Sequence, residues 1–104
     1  MIVTIRGILT RKMPEEIVVE TGGLGYACRI SINTYDLLPK PGEEVSLLTY
    51  FHVMENSQAL FAFANETERE LFIMLIGVSG IGPKTAIVLL SAVSPDEFKR
   101  RLIA

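Results

Sequence analysis

With 104 residues, the chain is long enough for one ordinary domain or two very small ones. Its 49% apolar and 21% charged residues exclude a disordered chain, and the longest apolar run is too short to cross a membrane. A net charge of -2 excludes a general electrostatic nucleic-acid binder, so any DNA contact must be local or multiplied by oligomerisation.

The first third of the sequence predicts three β-strands. Residues 1–11 alternate in part, and Gly7 interrupts them as a bulge or bend would. Residues 17–21 are mostly β-branched, and a glycine-rich connection leads into residues 26–32, where alternation is cleanest. Cys28 lies on the apolar side of that third strand and is predicted to be a small buried hydrophobe.

Two more strands follow a predicted helical turn over residues 31–38. Residues 44–54 form a long fourth strand, and residues 59–63 form a fifth after a polar turn. One face of the fourth strand carries Val45, Leu47, Thr49, Phe51 and Val53. His52 falls on the opposite face and has no second histidine or paired carboxylate at a useful spacing, so we predict neither a metal site nor a catalytic site there.

Five short strands with a glycine kink in the first favour a small Greek-key barrel of the OB type over residues 1–64. A simple sandwich and an SH3-like barrel are the alternatives. The single cysteine excludes an internal disulfide framework, and no signal peptide is visible at the N-terminus. These features favour a cytoplasmic protein.

Residues 65–104 predict a helical segment. Asn65 is a good N-cap, and Glu68 completes a capping-box pattern before a helix over residues 66–76. Ser94-Pro95-Asp96-Glu97 predicts a third helix, whose residues 99–101 are the only basic cluster and fit a solvated helix end. No C-cap signal ends the sequence, which indicates a piece of a longer protein.

The glycine-rich turn between the first two of these helices is the strongest candidate site. Gly80 and Gly82 flank Ile81, which is predicted to plug the space between the helices, and Pro83 suits the first position of the second helix. The N–H groups of Gly80, Gly82 and Lys84 would then be free to bind a phosphate oxygen, with the Lys84 ammonium beside them. The alternative is a hairpin whose glycines serve packing alone.

The whole chain resembles the N-terminal part of the RuvA family, which binds Holliday junctions. The resemblance covers residues 1–98 and is carried by Ile5-Arg6-Gly7, Gly22-Gly23-Leu24-Gly25-Tyr26, Leu38-Pro39, Pro41-Gly42, Ala59-Leu60-Phe61-Ala62-Phe63, Glu68-Arg69-Glu70-Leu71-Phe72 and Gly80-Ile81-Gly82-Pro83-Lys84. It implies an OB-like first domain, here residues 1–64, and the start of a helix-hairpin-helix domain, here residues 65–104.

The resemblance also implies a function and its site. The chain would be the non-catalytic DNA-binding subunit of a branch-migration complex in recombination, repair and the SOS response. Phosphates would be held in a sequence-independent way by Ser79, Gly80, Ile81, Gly82, Lys84 and Thr85. Glu55 matches one of the two acids of the family's acidic pin, while Asn56 stands where the second acid is expected.

The implied partners are four-way junction DNA, three further copies of the chain in a tetramer, and a RuvB-type ATPase. That motor would be engaged through a C-terminal domain that this sequence lacks, and ATP and Mg²⁺ would belong to the motor. We predict no cofactor for this chain and find no Walker motif, metal-ligand cluster or catalytic triad in it.

Two other functions compete with this interpretation. The hairpin is also similar to that of helix-hairpin-helix DNA glycosylases, where a lysine at this position attacks the sugar. The sole downstream acid of the required type, Asp96, sits at a predicted helix start, which disfavours such an enzyme. The third possibility is an OB-type interaction module that does not bind DNA.

Overall fold

The computed structural model describes residues 1–92, 94, 96, 97 and 100. This part of the chain forms the strands and helices predicted from the sequence, in the same order. The elements are β1 (Thr4–Lys12), β2 (Glu16–Thr21), β3 (Leu24–Arg29), α1 (Ile32–Leu37), β4 (Glu44–Met54), β5 (Ser57–Phe63), α2 (Glu66–Ile76) and α3 (Pro83–Ala92).

The five strands close into a barrel in the order β1-β2-β3-β5-β4. Neighbouring strands are antiparallel except β3 and β5, which pair in parallel. The first half of β1 pairs with β4 and its second half with β2, so this one strand closes the barrel. The OB-type prediction is therefore confirmed, and the sandwich alternative is excluded.

Gly7 has a different role from the predicted bulge. The irregularity in β1 lies further along, between Leu9 and Arg11, and Gly7 itself pairs regularly with Val45. A Cβ at Gly7 would stand 2.2 Å from the carbonyl oxygen of Glu20. Glycine is required here because β2 approaches the β1 backbone too closely for any side chain.

The third strand is also shifted from its prediction. It starts at Leu24 because Gly22 and Gly23, with φ of 60° and 83°, make a two-residue turn of the kind that left-handed glycines favour. It ends at Arg29, because the N–H of Ile30 donates to Glu15 O (3.1 Å) and Ser31 becomes the N-cap of α1. The predicted strand over residues 26–32 is thus wrong at both ends.

Strand β5 serves two apolar cores at once. Leu60 and Ala62 point into the barrel, where Cys28 is fully buried as predicted. Phe61 and Phe63 point outward against α2, and the Phe72 ring lies 5.0 Å and 5.1 Å from theirs. The described helices therefore pack directly on the barrel wall, and residues on both sides of the boundary assigned at 64 and 65 share this outer core.

The long strand β4 has the predicted bounds, but its apolar face does not stay buried. Thr49 is fully buried, whereas Val53, near the tip of the β4–β5 hairpin, is 57% exposed. On the opposite face the His52 ring stacks on Tyr50, and its buried Nε2 atom has no hydrogen-bond partner among the described residues. The last part of β4 pairs with β5 alone, so the β4–β5 hairpin extends beyond the strands that close the barrel.

Helices α2 and α3 have the predicted starts, and α2 also has its predicted end. Leu71, Phe72 and Leu75 of α2 and Ala86 and Leu90 of α3 are buried between the helices and the barrel. Each described helix is too short or too polar to span a bilayer. Of the predicted third helix, the N-cap is seen, since the Glu97 N–H donates to Ser94 Oγ (3.2 Å). Lys99 and Arg101 of the basic cluster lie outside the described residues.

Candidate nucleic-acid interface

The candidate interface begins with the end of α2. That helix ends at Ile76, and Gly77 follows as its C-cap with αR backbone angles. The chain then turns through residues 77–82 before Pro83 opens α3, where the missing proline N–H costs no hydrogen bond. The result is a helix, a short turn and a second helix packed on the same face of the barrel.

Ile81 holds this turn together from inside. Its N–H donates to Val78 O (3.1 Å), and its half-buried side chain packs against the outer core between α2 and α3. The amide of Ile81 is thus used within the protein, so this member of the predicted site contributes shape rather than a free donor. Gly80 precedes it with φ of 88°, a conformation that L side chains rarely adopt.

The three backbone N–H groups that the sequence predicts as phosphate donors are unpaired among the described residues. Those of Gly80, Gly82 and Lys84 donate to no other residue in the part of the chain that the structure describes. The carbonyl of Gly82 is used, because it accepts from the N–H of Ala86 (3.0 Å) and so starts α3. Free donors at the first turn of a helix form a local anion site without requiring a positively charged protein.

The side chains around these amides leave the site open. Ser79, Lys84 and Thr85 are all exposed, and a Cβ built at Gly80 or Gly82 would meet nothing within 4 Å. Lys84 makes no ion pair with a described residue, and neither hydroxyl has a partner there. An incoming phosphate would therefore meet free amides, two free hydroxyls and one free ammonium within seven consecutive positions.

A groove of about 510 Å³ runs beside the hairpin, between α3 and the barrel. Lys84 lines one end, and the acidic side chains of Glu15 and Glu16 lie along it with Arg29. These carboxylates disfavour a phosphate inside the groove. An anion should thus approach Lys84 from the turn, where the free amides lie.

The β4–β5 hairpin is the second surface singled out from the sequence. Met54 pairs with Ser57, so Glu55 and Asn56 form a two-residue turn at its tip. Glu55 is exposed, and the neighbouring Met54 is 59% exposed. The structure places one carboxylate at the end of a projecting hairpin, which is the geometry that a pin would need.

The predicted capping box is only half formed. Asn65 Oδ1 accepts from the N–H of Glu68 (2.8 Å), as an N-cap should. The Glu68 side chain, however, does not turn back to the cap. It is fully buried and accepts hydrogen bonds from the hydroxyls of Ser31 and Thr34, at 2.6 Å each. This contact cannot be predicted from the sequence, because the spacing is the same for a glutamate that caps its own helix and for one that reaches another element.

The described residues offer few candidates for metal binding or for a nucleophilic thiol. Their His, Cys, Asp and Glu side chains form no group of three that could hold a metal ion. Cys28 is fully buried, and its burial, with a smaller effect of the Glu16 charge, raises its pKa to about 12. A thiol in that state is a poor nucleophile at neutral pH.

A closed five-stranded OB-type barrel carrying a helix-hairpin-helix on its outer wall defines the class of this protein. Comparison with known families then assigns the family. The model of the RuvA N-terminal domain matches residues 1–62, which is more than half of the chain. The chain belongs to the RuvA family.

Individual relatives extend the match through the helical segment. The chain is 41% identical over 104 residues to the Holliday junction branch migration complex subunit RuvA of Chlorobium phaeobacteroides (strain BS1), covering 100% of the chain and 52% of the relative. The proteins of the same name from Coxiella burnetii (strain RSA 331 / Henzerling II) and Halorhodospira halophila are 43% and 46% identical over 98 and 100 residues, covering 94% and 96% of this chain and 49% of each relative. The chain thus spans about half the length of the curated relatives it matches.

Proposed function

We propose that this chain binds four-way DNA junctions by holding backbone phosphates at the α2–α3 turn, without reading base sequence. One observation carries the proposal: the backbone amides of Gly80, Gly82 and Lys84 have no partner among the described residues and lie next to an exposed lysine side chain, in a member of a family whose relatives are named for Holliday junctions. Contacts to phosphates position a protein on DNA but carry no sequence information.

Each residue of the proposed site has a definable task. The amides of Gly80, Gly82 and Lys84 donate to phosphate oxygens, while the ammonium of Lys84 adds a point charge. The hydroxyls of Ser79 and Thr85 supply further donors, and Ile81 keeps the turn in shape. Glu55 is proposed as a pin that repels phosphates at the junction centre, with half the charge of a two-acid pin.

A net charge of -2 makes a single copy a weak DNA binder. We therefore propose that four copies assemble, so that each holds one arm of the junction and the weak sites act together. Branch migration would need a RuvB-type ATPase partner, which uses ATP and Mg²⁺ and would engage the half of the relatives' length that this chain does not span. The complex would act in the cytoplasm, in recombination, repair and the SOS response.

The DNA lyase is the competing function. Attack by a lysine amine requires a desolvated lysine with a carboxylate close by. Lys84 is instead exposed and makes no ion pair with any described residue. Borohydride trapping on duplex DNA with an abasic site separates the two functions, since a covalent adduct would favour the lyase and contradict a purely binding role.

Fluorescence anisotropy tests the proposal directly. A labelled four-way junction and a linear duplex with the same arm sequence are titrated with the chain at several salt concentrations. We expect tighter binding of the junction, and Lys84→Ala should weaken binding and flatten the salt dependence by about one phosphate contact. Lys40→Ala, which removes an exposed lysine from the loop after α1, is the matched control and should change neither. Equal binding of both DNAs would contradict junction recognition and leave the interaction module as the better account.

A further inference from the structure

The short helix α1 contacts the helical hairpin at the ends farthest from its turn. At the start of α2, the buried Glu68 carboxylate accepts from Ser31 Oγ through Oε2 and from Thr34 Oγ1 through Oε1, both at 2.6 Å. The same residues bind the backbone, because Thr34 N–H donates to Ser31 Oγ (3.2 Å) and Ala64 N–H donates to Thr34 Oγ1 (3.1 Å). This network joins α1, the end of β5 and the first turn of α2.

The donors and acceptors of this network are fully matched. Each hydroxyl has a single hydrogen, which it gives to Glu68, and each accepts a backbone N–H in return. The short O–H···O distances are those of hydroxyls that donate to a carboxylate. An amide in place of the carboxylate would offer one acceptor where two are needed, so at least one hydroxyl would lose its partner.

A second set of contacts ties α1 to the end of α3. Asn33 Nδ2 donates to Leu90 O (2.6 Å), and the N–H of Ile32 donates to Ser91 Oγ (3.1 Å). Ser91 in turn donates to Ile87 O (2.9 Å), one turn back along α3. Both helices of the hairpin are therefore fastened to the same short helix, one at its start and the other at its end.

We propose that α1 is a bracket that fixes the direction of the hairpin relative to the barrel, and that it thereby sets the preference for four-way over linear DNA, with Glu68 as its positioning residue. This inference rests on the proposed function. An eleven-residue helix such as α2 is about 16 Å long, so a tilt of about 10° at its start moves the turn by about 3 Å. A shift of that size equals a whole hydrogen-bond length.

Four-way DNA is more sensitive to such a tilt than linear DNA. On a linear duplex, one hairpin can follow its phosphates because the whole protein can shift with it. At a junction, the turns of the four proposed copies must each meet a different arm of the same DNA at once, so the direction of every hairpin relative to its barrel matters. Loosening the bracket should thus weaken junction binding selectively.

Three variants test the bracket, with one matched control. Glu68→Gln removes one of the two acceptors, and Thr34→Val removes a hydroxyl at nearly constant volume. Ser91→Ala removes one of the two hydrogen bonds between α1 and α3 and leaves Glu68 untouched. Glu70→Gln makes the same chemical change two positions along α2, at an exposed side chain. If a change at Glu68 prevents folding, Ser91→Ala still allows the bracket to be tested on a folded protein.

The first measurement is the ratio of junction affinity to duplex affinity by anisotropy. We expect each bracket variant to lose about tenfold in junction affinity and to keep duplex affinity within about twofold, whereas Glu70→Gln keeps both. Equal losses on the two DNAs, or an unchanged ratio, would overturn the bracket. A wild-type chain without junction preference would instead contradict the proposed function.

The second measurement needs no DNA and tests the bracket separately. Spin labels on Asn56→Cys and Ser79→Cys report the distance between the hairpin tip and the α2–α3 turn, while the buried Cys28 stays unlabelled. We expect a narrow distance distribution in the parent and in Glu70→Gln, and a broader one in Glu68→Gln, Thr34→Val and Ser91→Ala. A distribution that stays narrow in all variants would overturn the inference.

Discussion

The two glycines of the α2–α3 turn should respond differently to alanine. Gly80 has φ of 88°, which an alanine adopts only with strain of about 1–2 kcal/mol. Gly82 lies outside the left-handed region, precedes Pro83 and has open space around it. Gly82→Ala should therefore leave the free energy of unfolding within about 0.5 kcal/mol of the parent, because the lost freedom of the unfolded chain offsets a slightly poorer N-cap.

For DNA binding, we expect the alanine substitution at Gly82 to matter more than the one at Gly80. A methyl group at Gly82 would stand in the open space through which a phosphate must reach the free amides. A hydrogen bond to a charged group contributes about 1.5–3 kcal/mol, so losing one should weaken junction binding about tenfold or more. Gly82→Ala is thus expected to separate binding from stability.

Thermal unfolding by circular dichroism and anisotropy with a labelled junction measure the two quantities on the same samples. Gly80→Ala should lower the melting temperature by about 4–8 °C for each kcal/mol of strain, while Gly82→Ala should leave it nearly unchanged. Gly23→Ala, at a left-handed glycine in the β2–β3 turn, controls for strain away from the proposed site. Normal junction binding by a folded Gly82→Ala variant would refute the role of the free amides.

Three further changes test the fold, the core thiol and the pin. Phe72→Ala removes a fully buried ring from the outer core and should cost about 3–5 kcal/mol by urea unfolding; a cost below 1 kcal/mol would contradict the shared core. Burial raises the Cys28 pKa to about 12. The contribution of the protonated thiol to the free energy of unfolding should therefore be complete below pH 9 and should fall by about 1.4 kcal/mol per pH unit from pH 9 to 12. The Cys28→Ala variant should lack this decrease. If the stability of the variant and of the parent changed in parallel between pH 9 and 12, the prediction would be refuted. Glu55→Gln should tighten junction binding a few-fold at low salt and not at high salt, and Glu44→Gln is the control at another exposed glutamate. Unchanged binding by Glu55→Gln at low salt would contradict the pin role.

Local signals in the sequence were sufficient for most of the fold. Alternation gave β4 its bounds, and the N-cap at Asn65 and the proline at 83 gave the starts of α2 and α3. The glycine-rich turn also emerged from the sequence, because two glycines and a proline leave few conformations open. These features depend on residues that are close along the chain.

The errors came from contacts between distant residues. The sequence predicts a bulge or bend at Gly7, but the neighbour that requires glycine, the carbonyl of Glu20, lies on another strand. The sequence predicts that Glu68 caps its own helix, but its partners at the start of α1 are 34 and 37 positions away. A periodic pattern along the sequence cannot predict such contacts, because they form only when the barrel closes.

The central claim is that the free amides of the turn hold DNA phosphates, and amide NMR chemical shifts test it most directly. The ¹⁵N-labelled chain is titrated with an unlabelled four-way junction while its backbone signals are followed. We predict that the largest shifts fall on Gly80, Gly82 and Lys84, and that Gly23 at the distant β2–β3 turn does not move. Shifts concentrated elsewhere, with those three amides unchanged at saturation, would contradict the claim.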